Sequence, residues 1–147
     1  MKKSASLLFV IIVLLSCGRN DSEIRITGIK CNNLENPAGV NPEPQFSWVP
    51  ASGLRGARQS AYQILISTDE VSLKSEEKCF WNSGKIISPR SYGIKAAVHF
   101  QPSVNYFWKV RAWDQDDNPS EWSSPAFFIT GLFQKKDWGG AIWIGYE

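Results

Sequence analysis

Carboxylates are the first residues to weigh for chemistry, and they fall mainly in three groups: Asp69-Glu70, Glu76-Glu77 and the run Asp114 to Asp117. Two carboxyl groups facing each other across a cleft can act as general acid and general base. Inverting hydrolysis of a glycosidic bond needs about 6.5–9.5 Å between them. Here each group falls in a predicted loop or strand end, where a solvated turn accounts for it. The run Asp114-x-Asp116-Asp117-Asn118 has oxygen donors at the spacing of a calcium loop. Pro119 stands where such a loop needs its turn glycine, however, and no helices flank it. An acidic hairpin turn is the expectation.

The remaining reactive types give as little. His99 is the only histidine, has no serine or cysteine nucleophile near it in sequence, and reads as a strand residue. Gly139-Gly140 lacks the spacing and the strand–helix setting of a phosphate loop and reads as a flexible joint. Cys31 and Cys79 have no histidine nearby to complete a metal site. A disulfide between them stays open, because sequence alone does not make their strands neighbours. No catalytic residue, cofactor site or metal site is expected.

Aromatic rings are the other candidates, since a sugar face stacks on exposed Trp and Tyr. The chain has seven Trp, eight Phe and four Tyr in 147 residues. Alternation along the strands sends Trp48 and Trp108 to a core, and Trp122 has a place beside Arg111. Trp138 and Trp143 lie in a tail suited to packing on a further domain. Trp81 and Trp113 are left as rings for sugar stacking.

The elements that must position these residues are short strands with turn punctuation. Ile24 to Cys31, Gln45 to Val49, Ala61 to Thr68, Phe80 to Ile87, Val98 to Phe100, Tyr106 to Asp114 and Ala126 to Thr130 read as strands. The fourth is interrupted at Asn82-Ser83-Gly84, a bulge or turn signal. Residues 32–44 are rich in Asn, Pro and Gly and read as an unpaired loop. Residues 69–78 read as a loop or one helical turn.

In the sixth strand Tyr106, Trp108, Val110 and Ala112 share the core-facing side, while Phe107, Lys109, Arg111 and Trp113 share the other. The hydroxyl of Tyr106 can reach back to the backbone of the preceding corner. Lys109 and Arg111 can stack over Trp113 or Trp122 as cation–π pairs worth roughly 0.5–1 kcal/mol each.

The N-terminus reads as an export signal. Lys2 and Lys3 precede the apolar run Leu7 to Leu15, far short of the roughly 20 residues a membrane-spanning helix needs. Leu14-Leu15-Ser16-Cys17 has the pattern of a bacterial lipoprotein, in which the Cys17 thiol is acylated and becomes the mature N-terminus. Multiple acyl chains hold a protein on a bilayer without crossing it. Gly18 after the cysteine, in place of an Asp, favours the outer membrane and leaves its periplasmic or surface face open. Residues 1–16 are then the signal, 17–23 a tether, 24–132 a β-sandwich and 133–147 a linker with the start of a following domain. The chain carries 16 basic and 14 acidic side chains; losing Lys2 and Lys3 leaves the mature side chains balanced. Nothing in that balance suits a nucleic-acid surface.

Taken in order, several segments resemble a known family: Leu34-Glu35-Asn36-Pro37-Ala38-Gly39-Val40, Pro44-Gln45-Phe46-Ser47-Trp48, Gln59-Ser60-Ala61-Tyr62-Gln63-Ile64, Trp81-Asn82-Ser83-Gly84-Lys85, Tyr106 to Asp114, Ser120-Glu121-Trp122-Ser123 and Asp137 to Gly145. The set is similar to a fibronectin type III or immunoglobulin-like β-sandwich of about seven strands. More narrowly, it resembles the N-terminal module of bacterial α-L-rhamnosidases, glycoside hydrolases of family 78. The resemblance implies a following β-sandwich and then an α/α-barrel with the catalytic acids. The barrel's motifs have no counterpart here, so no catalytic residue transfers.

Three readings follow. The first is a non-catalytic, lipid-anchored module that spaces and orients such a hydrolase through Trp138 and Trp143. The second is a module binding rhamnose-containing glycans. The third is a free-standing lipoprotein that docks a partner through its tail.

Overall fold

The computed structural model describes residues 24–142, 144 and 145. Eight strands run in chain order: β1 (Arg25–Cys31), β2 (Gln45–Ala51), β3 (Ala61–Ser67), β4 (Trp81–Asn82), β5 (Ile86–Ile87), β6 (Ile94–Lys95), β7 (Asn105–Trp113) and β8 (Ala126–Ile129). They form two antiparallel sheets, β1-β2-β6 and β4-β3-β7-β8, with β5 also on β3. β4 and β5 hold the same edge of β3, at Leu65–Ile66 and Ala61–Tyr62. They are one edge strand broken at Ser83-Gly84, where Gly84 takes φ +62° and the Ser83 hydroxyl accepts from the Ile64 N–H at 2.9 Å. Counted that way the sandwich has seven strands, and it is all-β as expected.

Alternation fixes the core. Phe46 and Trp48 from one sheet meet Tyr62, Ile64, Ile66, Tyr106, Trp108, Val110 and Phe128 from the other. Ring contacts Phe46–Trp108 at 4.7 Å and Trp48–Tyr62 at 5.1 Å join the two layers. Aromatic pairs in tilted or edge geometry add about 0.5–1.5 kcal/mol to area burial. The Tyr106 hydroxyl accepts from the Gln101 N–H at 3.0 Å, which closes the corner before β7.

Three features depart from the alternation pattern. The predicted strand at Val98–Phe100 is irregular; the strand is instead β6, pairing with Gln45 and Phe46, while Phe100 turns inward against Tyr106 and Phe128. Ile94 and Phe100 are both apolar, and only the cross-strand register selects which of them sits in a ladder. Segment 36–40 is not an unpaired loop. Val40 N–H donates to Ile129 O and Ile129 N–H to Pro37 O, both at 2.9 Å, and Asn36 Oδ1 accepts from Phe127 N–H. The segment covers the free edge of β8, a site where an exposed strand would invite unwanted pairing.

The third departure is β3, which is buried on both faces. Its inner face meets the core, and its outer face lies under residues 69–80. That segment contains a 3-10 turn at Val71–Lys74 whose Leu73 is buried.

Candidate functional site

The outer face of β3 and β7 carries the densest array of polar and aromatic groups. Lys109, Arg111 and Trp113 project there because they alternate with the core residues of β7. The segment after the β7 hairpin then returns alongside it. Ser120 and Ser123 N–H donate to Ala112 O and Val110 O at 2.7 and 2.8 Å. Their hydroxyls accept from the Ala112 and Val110 N–H groups, each at 3.1 Å. Serines three apart thus satisfy both polar groups of alternate β7 residues and hold Trp122 over the strand.

Trp122 lies under two cations, Lys109 Nζ at 4.6 Å and the Arg111 guanidinium at 4.5 Å. Arg111 is also 4.9 Å from the Trp113 ring, and Lys85 Nζ is 4.8 Å from it. The order Lys109, Trp122, Arg111, Trp113, Lys85 alternates cation and ring. Arg111 further donates to Gln63 Oε1 from Nε (3.0 Å) and Nη2 (2.7 Å), and to Glu76 at 3.0 Å. Gln63 donates in turn to Glu76 and Asn82, and Lys85 is paired with Asp117. Burial draws Lys109 below the ordinary lysine range, opposed by nearby Cys79 and Glu76.

Every member of this ladder is engaged by another, so it works as a fastening for the sheet. The sequence reading gives Glu76 only as a solvated turn carboxylate and Gln63 and Lys85 only as parts of family-like segments, so their place in the ladder is new. Gln63 carried the one available signal, a polar residue inside an otherwise apolar strand.

The residues chosen from sequence separate accordingly. Trp48, Tyr106 and Trp108 are core residues, and Arg111 and Trp122 belong to the ladder. Trp113 is not a sugar platform: it is 8% exposed, with Lys85 and Arg111 on its ring. Trp81 is half-buried against the core, because its register opposite Ile66 turns it inward.

Cys31 and Cys79 are free thiols, correcting the open disulfide. Cys31 lies in the core between the sheets, while Cys79 lies on the outer side with its Sγ 3.2 Å from Ser75 O. Burial pushes the Cys31 thiol up to about 12. Cys17 and Trp143 fall outside the described residues.

Among the described residues no group of three His, Cys, Asp or Glu is placed to hold a metal. The Asp114 carboxylate accepts from the Asp116 and Asn118 N–H groups, both at 2.9 Å, and so caps its own hairpin loop. Asp69 caps the following 3-10 turn through the Ser72 N–H and hydroxyl, which hold its carboxyl below the ordinary range. His99 is exposed and borders a surface cavity of about 580 Å³ shared with Pro42, Glu43 and Lys95. Asp69 and Asp114 are thus engaged in local caps, and Glu76 in its bonds to Arg111 and Gln63.

The polypeptide leaves the sandwich at Gly131, where a Cβ would stand 3.3 Å from the Gly39 backbone. A 3-10 turn follows at Lys135–Trp138, capped by the Asp137 carboxylate accepting from Phe133 and Gln134 N–H at 2.9 Å. Gly139 and Gly140 both take positive φ, +59° and +84°, so the glycine pair makes a defined turn. Phe133, Trp138, Ala141 and Ile142 border a cavity of about 580 Å³, and Trp138, Ile142 and Ile144 are largely exposed.

Fold and site together define an immunoglobulin-like β-sandwich whose polar network is structural and which exposes Trp138, Ile142 and Ile144 after its last strand. Residues 26–134 match the model of the Rha78A-like, N-terminal immunoglobulin domain, and the chain belongs to that family. It is 37% identical over 125 residues to an α-L-rhamnosidase of Streptomyces avermitilis, covering 84% of this chain and 12% of that protein. An α-L-rhamnosidase of Formosa agariphila is 32% identical over 144 residues, covering 95% and 15%.

Two solved structures agree. The S. avermitilis α-L-rhamnosidase complexed with L-rhamnose superimposes with a TM-score of 0.74 at 36% identity, over 78% of this chain and 11% of that one. The α-L-rhamnosidase from Dictyoglumus thermophilum gives 0.73 at 32% identity, over 82% and 13%. The chain therefore spans about an eighth of the length of the relatives it matches.

Proposed function

We propose that this chain is the lipid-anchored, non-catalytic N-terminal module of an α-L-rhamnosidase-like glycoside hydrolase. In this reading residues 1–16 are a signal, Cys17 carries the lipid, and 17–23 are a tether. Residues 24–132 are the spacer, and 133–147 lead into a following domain that packs on Trp138 and Trp143. The module sits on a bacterial membrane, by preference the outer one, and orients the hydrolase above it.

The observation that carries the reading is the placement of the two ends. β1 starts opposite Ala51, at one end of the sandwich. The exit at Gly131 lies against Gly39 at the other, where β7 begins and β8 ends. Nine residues of β7 at about 3.3 Å each separate these ends by roughly 30 Å. In this reading a following domain leaves the sandwich at the end opposite the one the tether enters.

Two measurements test this. The 147-residue chain should release no rhamnose from an aryl α-L-rhamnoside, and release would overturn the non-catalytic role. In cells, Cys17→Ala should move the protein from the membrane to the soluble fraction; an unchanged distribution would remove the anchor.

A further inference from the structure

The loop between β2 and β3 stands at the same end of the sandwich as the start of β1. Arg25 pairs with Ala51 in the β1–β2 register, and Arg25, Thr27, Ala51, Ser52 and Gly53 border one shallow cavity. The loop is a built turn. Leu54 N–H donates to the Ser52 hydroxyl at 3.0 Å, Ala57 N–H to Leu54 O at 3.4 Å, and Gly56 takes φ +83°. Arg58 N–H donates to Gln115 Oε1 at 3.1 Å, which ties the loop's far side to the β7 hairpin. The turn presents Leu54, 57% exposed, at its tip. Arg25, Arg55 and Arg58 are exposed around it.

The charge at this end is one-sided. No acidic residue occurs between Glu43 and Asp69, and among the described residues none of the three arginines pairs with a carboxylate. On the neighbouring hairpin Asp117 is paired with Lys85 and Asp114 caps its own loop, which leaves Asp116, and Glu121 just past the loop, as the opposing exposed charges. The tether sets Arg19 against Asp21 and Glu23. The loop leaving the opposite end carries Asp69-Glu70 and Glu76-Glu77 against Lys74 and Lys78, and is net acidic even with Glu76 paired to Arg111.

An exposed leucine ringed by unpaired arginines fits an anionic lipid surface, where the apolar tip enters the headgroup layer and the guanidiniums meet phosphates. We propose that the Ser52–Arg58 loop, with Arg25, is a membrane-contact surface that lays the anchor end of the module against anionic phospholipid. This deepens the anchored-module reading and rests on it, since the surface is useful only where a bilayer lies at that end. It gives the spacer a direction: the basic end toward the headgroups, the acidic end and the chain exit away from them.

The test uses the mature chain, residues 17–147, carrying Cys17→Ser, so that neither the signal nor acylation plays a part, and vesicles of phosphatidylcholine with or without phosphatidylglycerol. Each arginine at an anionic surface contributes roughly five-fold in partitioning. The double variant Arg55→Glu/Arg58→Glu should therefore bind phosphatidylglycerol vesicles at least about 25-fold more weakly, with little change on phosphatidylcholine alone. Lys74→Glu/Lys78→Glu changes net charge by the same amount at the acidic end and should bind like the parent. Equal loss in both double variants would show a net-charge effect, and no loss in either would show no contact; each overturns the proposal. Mass measurement of lipid on native Cys17 is a separate result, so the anchor and the loop can fail independently.

Discussion

Replacing Arg111 by Met gives the sharpest account of what the cation–ring ladder contributes. The variant keeps an unbranched apolar stem on Trp122 but removes the charge from two rings, 4.5 and 4.9 Å away. Each partly buried cation–π contact is worth about 0.5–1 kcal/mol. Two charge-assisted bonds to Gln63 Oε1 are lost as well. Gln63 is 4% exposed, so its oxygen is left under-satisfied at a cost of about 1–3 kcal/mol. The bond to Glu76 adds less, because that carboxylate is 44% exposed and solvent screens it.

Stacking of the Met side chain returns part of the loss, and the net effect should be about 2–4 kcal/mol. For a domain of this size that is a fall in Tm of roughly 10 °C. Urea unfolding followed by circular dichroism measures it directly. Glu76→Gln, as control, should cost under about 1 kcal/mol. If Arg111→Met costs no more than Glu76→Gln, the ladder is ornament on a sheet stabilised by its core alone.

Further outcomes follow from the same contacts. Tyr106→Phe removes the acceptor for the Gln101 N–H and should cost about 1–2 kcal/mol by the same unfolding measurement. Ser120→Ala and Ser123→Ala each strand a β7 N–H; each should cost about 1–2 kcal/mol, and the double variant more than either. The Cys31 thiol stays protonated in the fold to about pH 12 but ionises near 9 when unfolded. Its contribution to stability is therefore complete below pH 9 and falls as pH rises toward 12, by about 1.4 kcal/mol per pH unit. Cys31→Ala should remove that slope, and a thiol reagent at pH 8 should label Cys79 well before Cys31.

Much of the sandwich was legible before any coordinates, because a strand half in a core writes its own period. Phe46 and Trp48, and Tyr106 to Ala112, alternate, and burial follows; Tyr62 to Ile66 alternate too, but a covering segment buries their outer face as well. The interruption at Ser83-Gly84 was equally plain, since a positive φ wants glycine. The sugar-stacking reading of Trp113 failed for a definable reason. Alternation shows that a residue leaves the core but says nothing of what covers it outside. Residues 69–80 and Lys85, distant in sequence, close over that face.

What the sequence by itself determined was thus the class of fold and the core side of each long strand. Cross-strand register, the covering of the outer sheet and the separation of Cys31 from Cys79 were decided only by tertiary structure. These depend on contacts between residues tens of positions apart, and local periodicity carries no record of which distant segment becomes the neighbour. The same holds for the relation of the two chain ends. Arg25 and Gly131 were readable as the entry and exit of the sandwich, but only the assembled fold set them roughly 30 Å apart.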